Sequence, residues 1–336
     1  MQNQPPKSRK YFNPLIKIMS HSTEAFEEQI HALRKKIDLE ILSFPASEKV
    51  ALFHDPINYI NSLPGKRFRP ILTVLSGLIV NGNTDNLIFA AAAIELLHNF
   101  TLVHDDIMDQ DDTRRGKPTV HKKWDLGTAI LAGDGLIGLA YKKLLQTQSK
   151  KSIELLNLFT DAMLEICEGQ AMDKSFETEN SVSKEAYLKM ISKKTAVLIR
   201  LACKTGAIVG GGSNEQIFAL ESFGYQIGMG FQIQDDMLDV LADEDKLGKK
   251  VGSDLAMNKK TILSIMLAEK SKKNISSISS IKDFRQLLEK EDVIGEAQRI
   301  IDSYFNGAAE QLKKLPPSEY TDLLEYFTRK IKNREK

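Results

Sequence analysis

The chain has 336 residues, 42% hydrophobic and 27% charged, enough for a sizeable core in one large domain or two medium ones. Its 46 Lys and Arg against 45 Asp and Glu leave a formal charge of +1, which argues against nucleic acid as a partner and against a disordered, solvating chain. Two cysteines, Cys167 and Cys203, are too few for a disulfide framework or a thiolate metal site, and both read as buried packing residues of a reducing, cytoplasmic protein.

Helical periodicity runs through nearly the whole chain, and strand signals are scarce. The opening MQNQPPKSRKYFNP lacks the apolar stretch of a signal peptide, so 1–20 is expected to be a flexible tail and 21–334 a single helical domain. An amphipathic helix is expected over 22–41 and another over 47–61, interrupted at Pro56. Pro64-Gly65 breaks the chain, and Pro70 suits the first turn of the next helix. Asp85 caps a long helix to about Met108, and a polar loop follows over 109–123. Helices are then expected over 128–147, 151–175, 184–209 and 214–242, the last two parted by Gly210-Gly211-Gly212. After a charged loop over 243–258 come shorter helices near 259–271, 281–289, 292–314 and 317–333, with a Ser/Lys-rich stretch at 271–280. The apolar stretches 71–80 and 87–103 are short or broken by Glu95 and His98, so no transmembrane segment is expected. No repeat of solenoid length and no domain linker appear, and an all-α, single large helical bundle is the simplest architecture.

The charges are sorted rather than mixed. Asp105, Asp106 and Asp109 form a DDxxD cluster, with Asp105 and Asp109 on one helix face and His98 two turns earlier on nearly the same line. Like charges at that spacing repel, and a divalent cation is a suitable counter-charge, since Mg²⁺ takes one or two carboxylates and completes its shell with water and phosphate. Asp235, Asp236 and Asp239 repeat the spacing about 130 residues later, again late in a long apolar helix, with Gln232 near the same stripe. A lone DDxxD reads equally well as a solvated helix end. Two in matching positions point instead to a negative pocket balanced by Mg²⁺ and a diphosphate. Basic residues flank these clusters: Lys66, Arg67 and Arg69 beside a helix start, Arg114, Arg115 and Lys117 after the first motif, and Lys193-Lys194-Thr195 within a helix. Lys249 and Lys250 follow the second motif, and Lys259-Lys260 opens the next helix. Singly, each is a surface charge; beside acidic motifs and helix ends they suit phosphate. Nucleotide-loop, zinc-helix and nucleophile-elbow motifs are absent, as is a Cys/His nucleophile arrangement. His104 and His121 flank the first acidic region, His121 as a structural or loop residue and His104 as a supporting one.

HNFTLVHDDIMDQDDTRRGKPTVH and GMGFQIQDDMLDVLADEDKLGKKVGSDL resemble the two aspartate-rich motifs of the trans-isoprenyl diphosphate synthases, the polyprenyl synthetase family. GKRFRP, EGQAMD at 168–173 and KKTA at 193–196 are similar to lesser signatures of that family, in the same order, whereas 1–20 and the residues beyond 275 carry no comparable motif. The resemblance implies an all-α bundle around a deep central cavity, a homodimer, and head-to-tail condensation of isopentenyl diphosphate with an allylic diphosphate (dimethylallyl, geranyl or farnesyl). It also implies three Mg²⁺ ions on Asp105, Asp109 and Asp235, supported by Asp106, Asp236 and Asp239. By the same resemblance Lys66, Arg69, His98 and Arg115 hold isopentenyl diphosphate, and Arg114, Lys194, Lys249 and Lys259 hold the allylic diphosphate. Thr195 and Gln232 offer oxygen dipoles to the carbocation. Asn258 stands where glycine is common in the family, which leaves Lys259 and Lys260 as alternatives. Phe100 and Thr101, five and four positions before Asp105, are the expected chain-length residues, and they resemble geranylgeranyl-type synthases ahead of farnesyl-type or longer-product ones. A terpene synthase would carry a different second metal motif, a non-catalytic partner subunit would lack an aspartate motif or the arginine pair, and a plain metal-binding bundle would not need the basic motifs.

Overall fold

The computed structural model describes residues 14–43, 49–241, 259–271 and 280–334, with side chains from residue 23 onward. Helices dominate them: α1 (Pro14–Leu42), α2 (Ala51–Ser62), α3 (Phe68–Ile79), α4 (Thr84–Met108), α5 (Val120–Lys123), α6 (Leu126–Leu145), α7 (Ser152–Phe176), α8 (Lys184–Ile191), α9 (Val197–Val209) and α10 (Asn214–Leu241). After the undescribed 242–258 come α11 (Ile262–Ser271), α12 (Ile281–Lys290), α13 (Val293–Leu312) and α14 (Glu319–Lys332). The architecture is all-α, as its sequence periodicity predicts.

The centre of the bundle is built from α3, α4, α9 and α10, with α6 covering α4, α13 covering α10 and α7 lying along α9. The composition of α4 explains its place. Leu87, Ala90–Ala93, Ile94, Leu96 and Leu97 are buried on every side, as expected of a helix that is apolar all round. By length and composition α4 could cross a membrane, but 72% of its most apolar window is buried inside this fold. Close approach of α9 to α3 depends on Gly206, where a Cβ would lie 2.0 Å from the Thr73 carbonyl oxygen.

Several local expectations need correction. α2 runs unbroken through Pro56, because the carbonyl deprived of a partner, that of Leu52, belongs to an exposed residue. The cap of α4 is Asn83, whose side chain accepts from the Asp85 and Asn86 amides at 2.9 and 3.3 Å; Asp85 sits inside the first turn, where a negative charge suits the helix dipole. The stretch read as a polar loop contains a hairpin, β1 (Thr113–Arg114) paired with β2 (Lys117–Pro118), and the short helix α5. Its two turn residues, Arg115 (φ 53°) and Gly116 (φ 73°), both take the left-handed conformation that a two-residue hairpin demands. Cys203 is buried as expected, but Cys167 is exposed. The break at Gly210–Gly212 falls as read, Gly211 having φ +80° between α9 and α10. The stretch 271–280 falls largely outside the described residues.

Candidate active site

Both aspartate motifs end long apolar helices. Asp105 and Asp106 lie in the last turn of α4, which Asp109 caps, and Asp235, Asp236 and Asp239 lie at the end of α10. Burial pushes the Asp105 carboxyl up from the ordinary 3.8 to about 6; Lys194 opposes this and Asp109 adds to it. Asp106 is 1% exposed and also pushed up by burial, against the pull of Arg114, whose Nε donates to its Oδ1 at 2.6 Å. The other oxygen, Asp106 Oδ2, is buried without a hydrogen-bond partner.

Between α8 and α9 the helix widens into a π-turn, Ser192–Ala196, which carries Lys193, Lys194 and Thr195. Such bulges re-aim side chains within an otherwise continuous helix. Lys193 pairs with Glu168 of α7, and Lys194 Nζ donates to Asp173 Oδ2 at 2.5 Å. Gly169 permits this contact, since a Cβ there would lie 2.4 Å from the Lys194 amide nitrogen. Thr195 donates to Gln232 Oε1 at 2.8 Å, and Gln232 Nε2 donates in turn to Asp236 Oδ1 at 3.1 Å. Asp236 also accepts from the Tyr187 hydroxyl and, at 3.1 Å, from the Ile262 amide. A cleft of about 150 Å³ opens here, lined by Lys194, Thr195, Gln232, Asp236, Lys259 and Lys260. Lys259 Nζ pairs with Asp109 Oδ2 at 3.3 Å, and Lys194 acts electrostatically on Asp105. Asp236 of the second motif thus lines the cleft, and two lysines of its wall, Lys259 and Lys194, connect it to Asp109 and Asp105 of the first.

Arg69, His98 and Arg115 form a second group. Arg69 Nη1 lies 3.1 Å from His98 Nε2. An arginine only donates, so Nε2 accepts and the imidazole proton rests on Nδ1. Burial and the neighbouring Arg69, Arg115 and Arg114 hold His98 well below the usual histidine range, neutral at pH 7. Burial lowers Arg69 to about 10, still charged at that pH. Arg115 Nη1 approaches the Leu63 carbonyl at 3.5 Å, and Lys66 lines a separate hollow beside Phe68 and Phe231. Arg67 adds its charge to this group, but its own hydrogen bonds go elsewhere. It is 5% exposed, bonded to Asp38 and Glu95 at 2.6 and 2.8 Å and to two carbonyls, and so it ties α1 and α4 to the start of α3. Lys249, Lys250 and Asn258 lie outside the described residues. Thr101 is half-buried and donates to the His98 carbonyl at 2.7 Å. Phe100, 7% exposed, packs its ring edge-to-face on His104 at 4.9 Å. His121 lies beside Thr119 at 3.3 Å.

Residues 50–301 match the Polyprenyl synthetase family. The chain belongs to that family. It is 45% identical over 251 residues to the short chain isoprenyl diphosphate synthase of Methanothermobacter thermautotrophicus, covering 73% of this chain and 74% of the relative. It is 45% identical over 217 residues to the geranylgeranyl diphosphate synthase of Methanosarcina mazei, covering 64% and 67%. The geranylgeranyl pyrophosphate synthetase of Pyrococcus horikoshii superposes with a TM-score of 0.88 at 37% identity, covering 93% of this chain and 99% of that one. The enzyme is thus an isoprenyl diphosphate synthase, a trans-prenyltransferase of the short-chain group, and the family's chemistry is metal-dependent.

Sequence reasoning overlooked Tyr187 and Arg334, which donate to Asp236 and Asp235 respectively. Tyr187 is 49 residues from its partner and Arg334 99, with no local pattern to reveal either. Asp173 was within reach, since it closes the EGQAMD signature.

Proposed function

We propose that this enzyme condenses isopentenyl diphosphate head-to-tail with an allylic diphosphate by ionisation, condensation and elimination, and that its product is geranylgeranyl diphosphate, with twenty carbons. The observation that carries the reading is the Lys259–Asp109 pair, which joins the first aspartate motif to the wall of the cleft that Asp236 of the second motif lines. The donors fit Mg²⁺. They are all hard carboxylate oxygens, one of them the unpartnered Asp106 Oδ2. Among the described residues no three such groups form a ready-made cage, as expected where each ion takes one or two carboxylates and shares the substrate's phosphates. Three Mg²⁺ ions on Asp105, Asp109 and Asp235, with Asp106, Asp236 and Asp239 in support, would neutralise the departing diphosphate.

The chain's own groups do the rest. Lys194 and Lys259 line the cleft and take up charge on the leaving diphosphate, and Arg114 holds Asp106 in place. Thr195 Oγ1 and Gln232 Oε1 face the developing allylic cation with oxygen dipoles. Arg69, Lys66 and Arg115, with neutral His98, hold the second diphosphate. The double bond of isopentenyl diphosphate attacks the allylic cation, a carbon–carbon bond forms, and the released diphosphate removes the proton. No protein nucleophile is needed. The exposed apolar residues Leu126, Ile130 and Leu131 on α6 and Ile153 and Leu164 on α7 suit a homodimer interface.

Incubation with isopentenyl diphosphate, Mg²⁺ and five-, ten- or fifteen-carbon primers, with products sized chromatographically, tests the reading. Chains of twenty carbons are expected, lost in Asp105→Ala and Asp235→Ala with the fold kept. No condensation with any primer would make the chain a non-catalytic partner subunit. A dominant fifteen-carbon or longer product would remove the geranylgeranyl reading while leaving the reaction. Phe100→Ala should lengthen the product, and an unchanged profile would remove Phe100 as the floor of the chain pocket.

A further inference from the structure

Beyond α14 the chain returns to the second aspartate motif. Arg334 Nη2 donates to Asp235 Oδ1 at 2.5 Å and to the Phe231 carbonyl at 3.1 Å, and its Nε donates to Gln234 Oε1 at 3.3 Å. The guanidinium sits 3.8 Å from the centroid of the Phe231 ring, which stacks in turn on Phe68 at 5.3 Å with 7° between the planes. Gln234 Nε2 completes the clasp by donating to the Lys332 carbonyl at 2.5 Å. Only 14% of the Arg334 side chain is exposed. A solvated surface arginine has neither this burial nor this set of partners.

The contact matters because of what it covers. A divalent cation on the Asp235 carboxylate and a guanidinium 2.5 Å from its Oδ1 draw on the same single negative charge and repel each other. We propose that Arg334 is a positioning residue that serves as a built-in counter-cation for Asp235, holding the second motif while it is metal-free and displaced as metal and diphosphate load. It thereby sets the metal concentration at which the site fills. The proposal rests on the assignment of Asp235 to metal. Arg334 itself lines a hollow of about 460 Å³, together with Phe231, Phe327, Lys330 and Asn333, so its side chain has open space beside it in which to move. Lys330, in the last turn of α14 four residues earlier and lining the same hollow, is bound to Glu27 at 2.6 and 2.8 Å and not to Asp235, so it serves as a control of similar charge and position.

The test is equilibrium binding of Mn²⁺, followed by the paramagnetic resonance signal of the free ion, in the presence of inorganic diphosphate. Wild type, Arg334→Gln, Lys330→Gln and Asp235→Asn are compared. Arg334→Gln should bind Mn²⁺ more tightly, on the order of fivefold, the fold-change a half-covered ion pair is worth, while Lys330→Gln matches wild type. Amide exchange over 326–334 should quicken in wild type when Mn²⁺ and diphosphate are added, and be quick already in Arg334→Gln. Wild-type or weaker Mn²⁺ binding by Arg334→Gln overturns the proposal, and so does exchange that does not respond to loading. Asp235→Asn separates the two levels. If it binds Mn²⁺ as wild type does, the metal assignment and the counter-cation fall together. If it binds weakly while Arg334→Gln is unchanged, the counter-cation falls alone.

Discussion

Asp236 receives donors from three different elements: the Tyr187 hydroxyl of α8, the Gln232 amide of α10 and the Ile262 amide at the start of α11. It is 5% exposed, so these bonds replace water that cannot reach it, and they fix one wall of the cleft. Tyr187 is itself 2% exposed, and Phe at that position keeps the ring and deletes only the donor. Tyr187→Phe should lower stability by about 1–2 kcal/mol, the value of a charge-assisted bond at a buried carboxylate, read from the urea midpoint. An unchanged midpoint would mean that the contact contributes nothing to stability. The aspartates themselves were legible because their spacing and repetition are written locally in the chain. Tyr187 was not, since its role exists only once α8 meets α10. Arg67 shows the converse. Its sequence position groups it with Lys66 and Arg69, but its left-handed backbone (φ 49°) turns it inward to Glu95 and Asp38, and it becomes a structural tie.

The stretch 184–209 reads as one helix in sequence, and its apolar spacing gives no sign of the π-turn at Ser192–Ala196. One inserted residue rotates the rest of the helix by about 100° around the axis, and a pattern of mixed Lys, Thr and Ala absorbs that shift silently. The turn nonetheless decides where three candidate groups point, because Lys193, Lys194 and Thr195 reach Glu168, Asp173 and Gln232 from it. Deleting Ser192 should restore an ordinary helical register and turn Lys194 and Thr195 out of the cleft. Turnover should fall on the order of a hundredfold, as misplacement by an ångström or more costs, with helix content by circular dichroism close to wild type. Full activity in the deletion variant would show that the π-turn has no part in placing these groups. Caps and short turns were the other weak point at this scale. Asn83 rather than Asp85 starts α4, and a hairpin interrupts the loop after the first motif, because both depend on which backbone amides the neighbouring chain leaves open.

Across the whole molecule, a charge of +1 conceals two helices with acidic ends, Asp109 of one paired with Lys259 at the cleft that Asp236 of the other lines, and further cations on α3, the β1–β2 hairpin and the π-turn. Asp105 is pushed up to about 6 chiefly by burial, with Lys194 opposing the shift and Asp109 adding to it. In the unfolded chain this carboxyl returns to 3.8. Between the two values the folded protein binds the extra proton, so stability falls as pH rises from about 4 to about 6 and stays reduced above it. Cations delivered to the cleft offset that loss only where the carboxylate is ionised. Addition of Mg²⁺ with inorganic diphosphate should therefore raise the midpoint of thermal unfolding more at pH 7.5 than at pH 5. Asp105→Asn, which carries no titratable group there, should narrow the difference between the two pH values. An equal shift at both pH values in wild type would mean that Asp105 does not couple ligand loading to folding. The same gap in Asp105→Asn as in wild type would trace the pH dependence to the diphosphate itself or to another carboxylate of the pair of motifs.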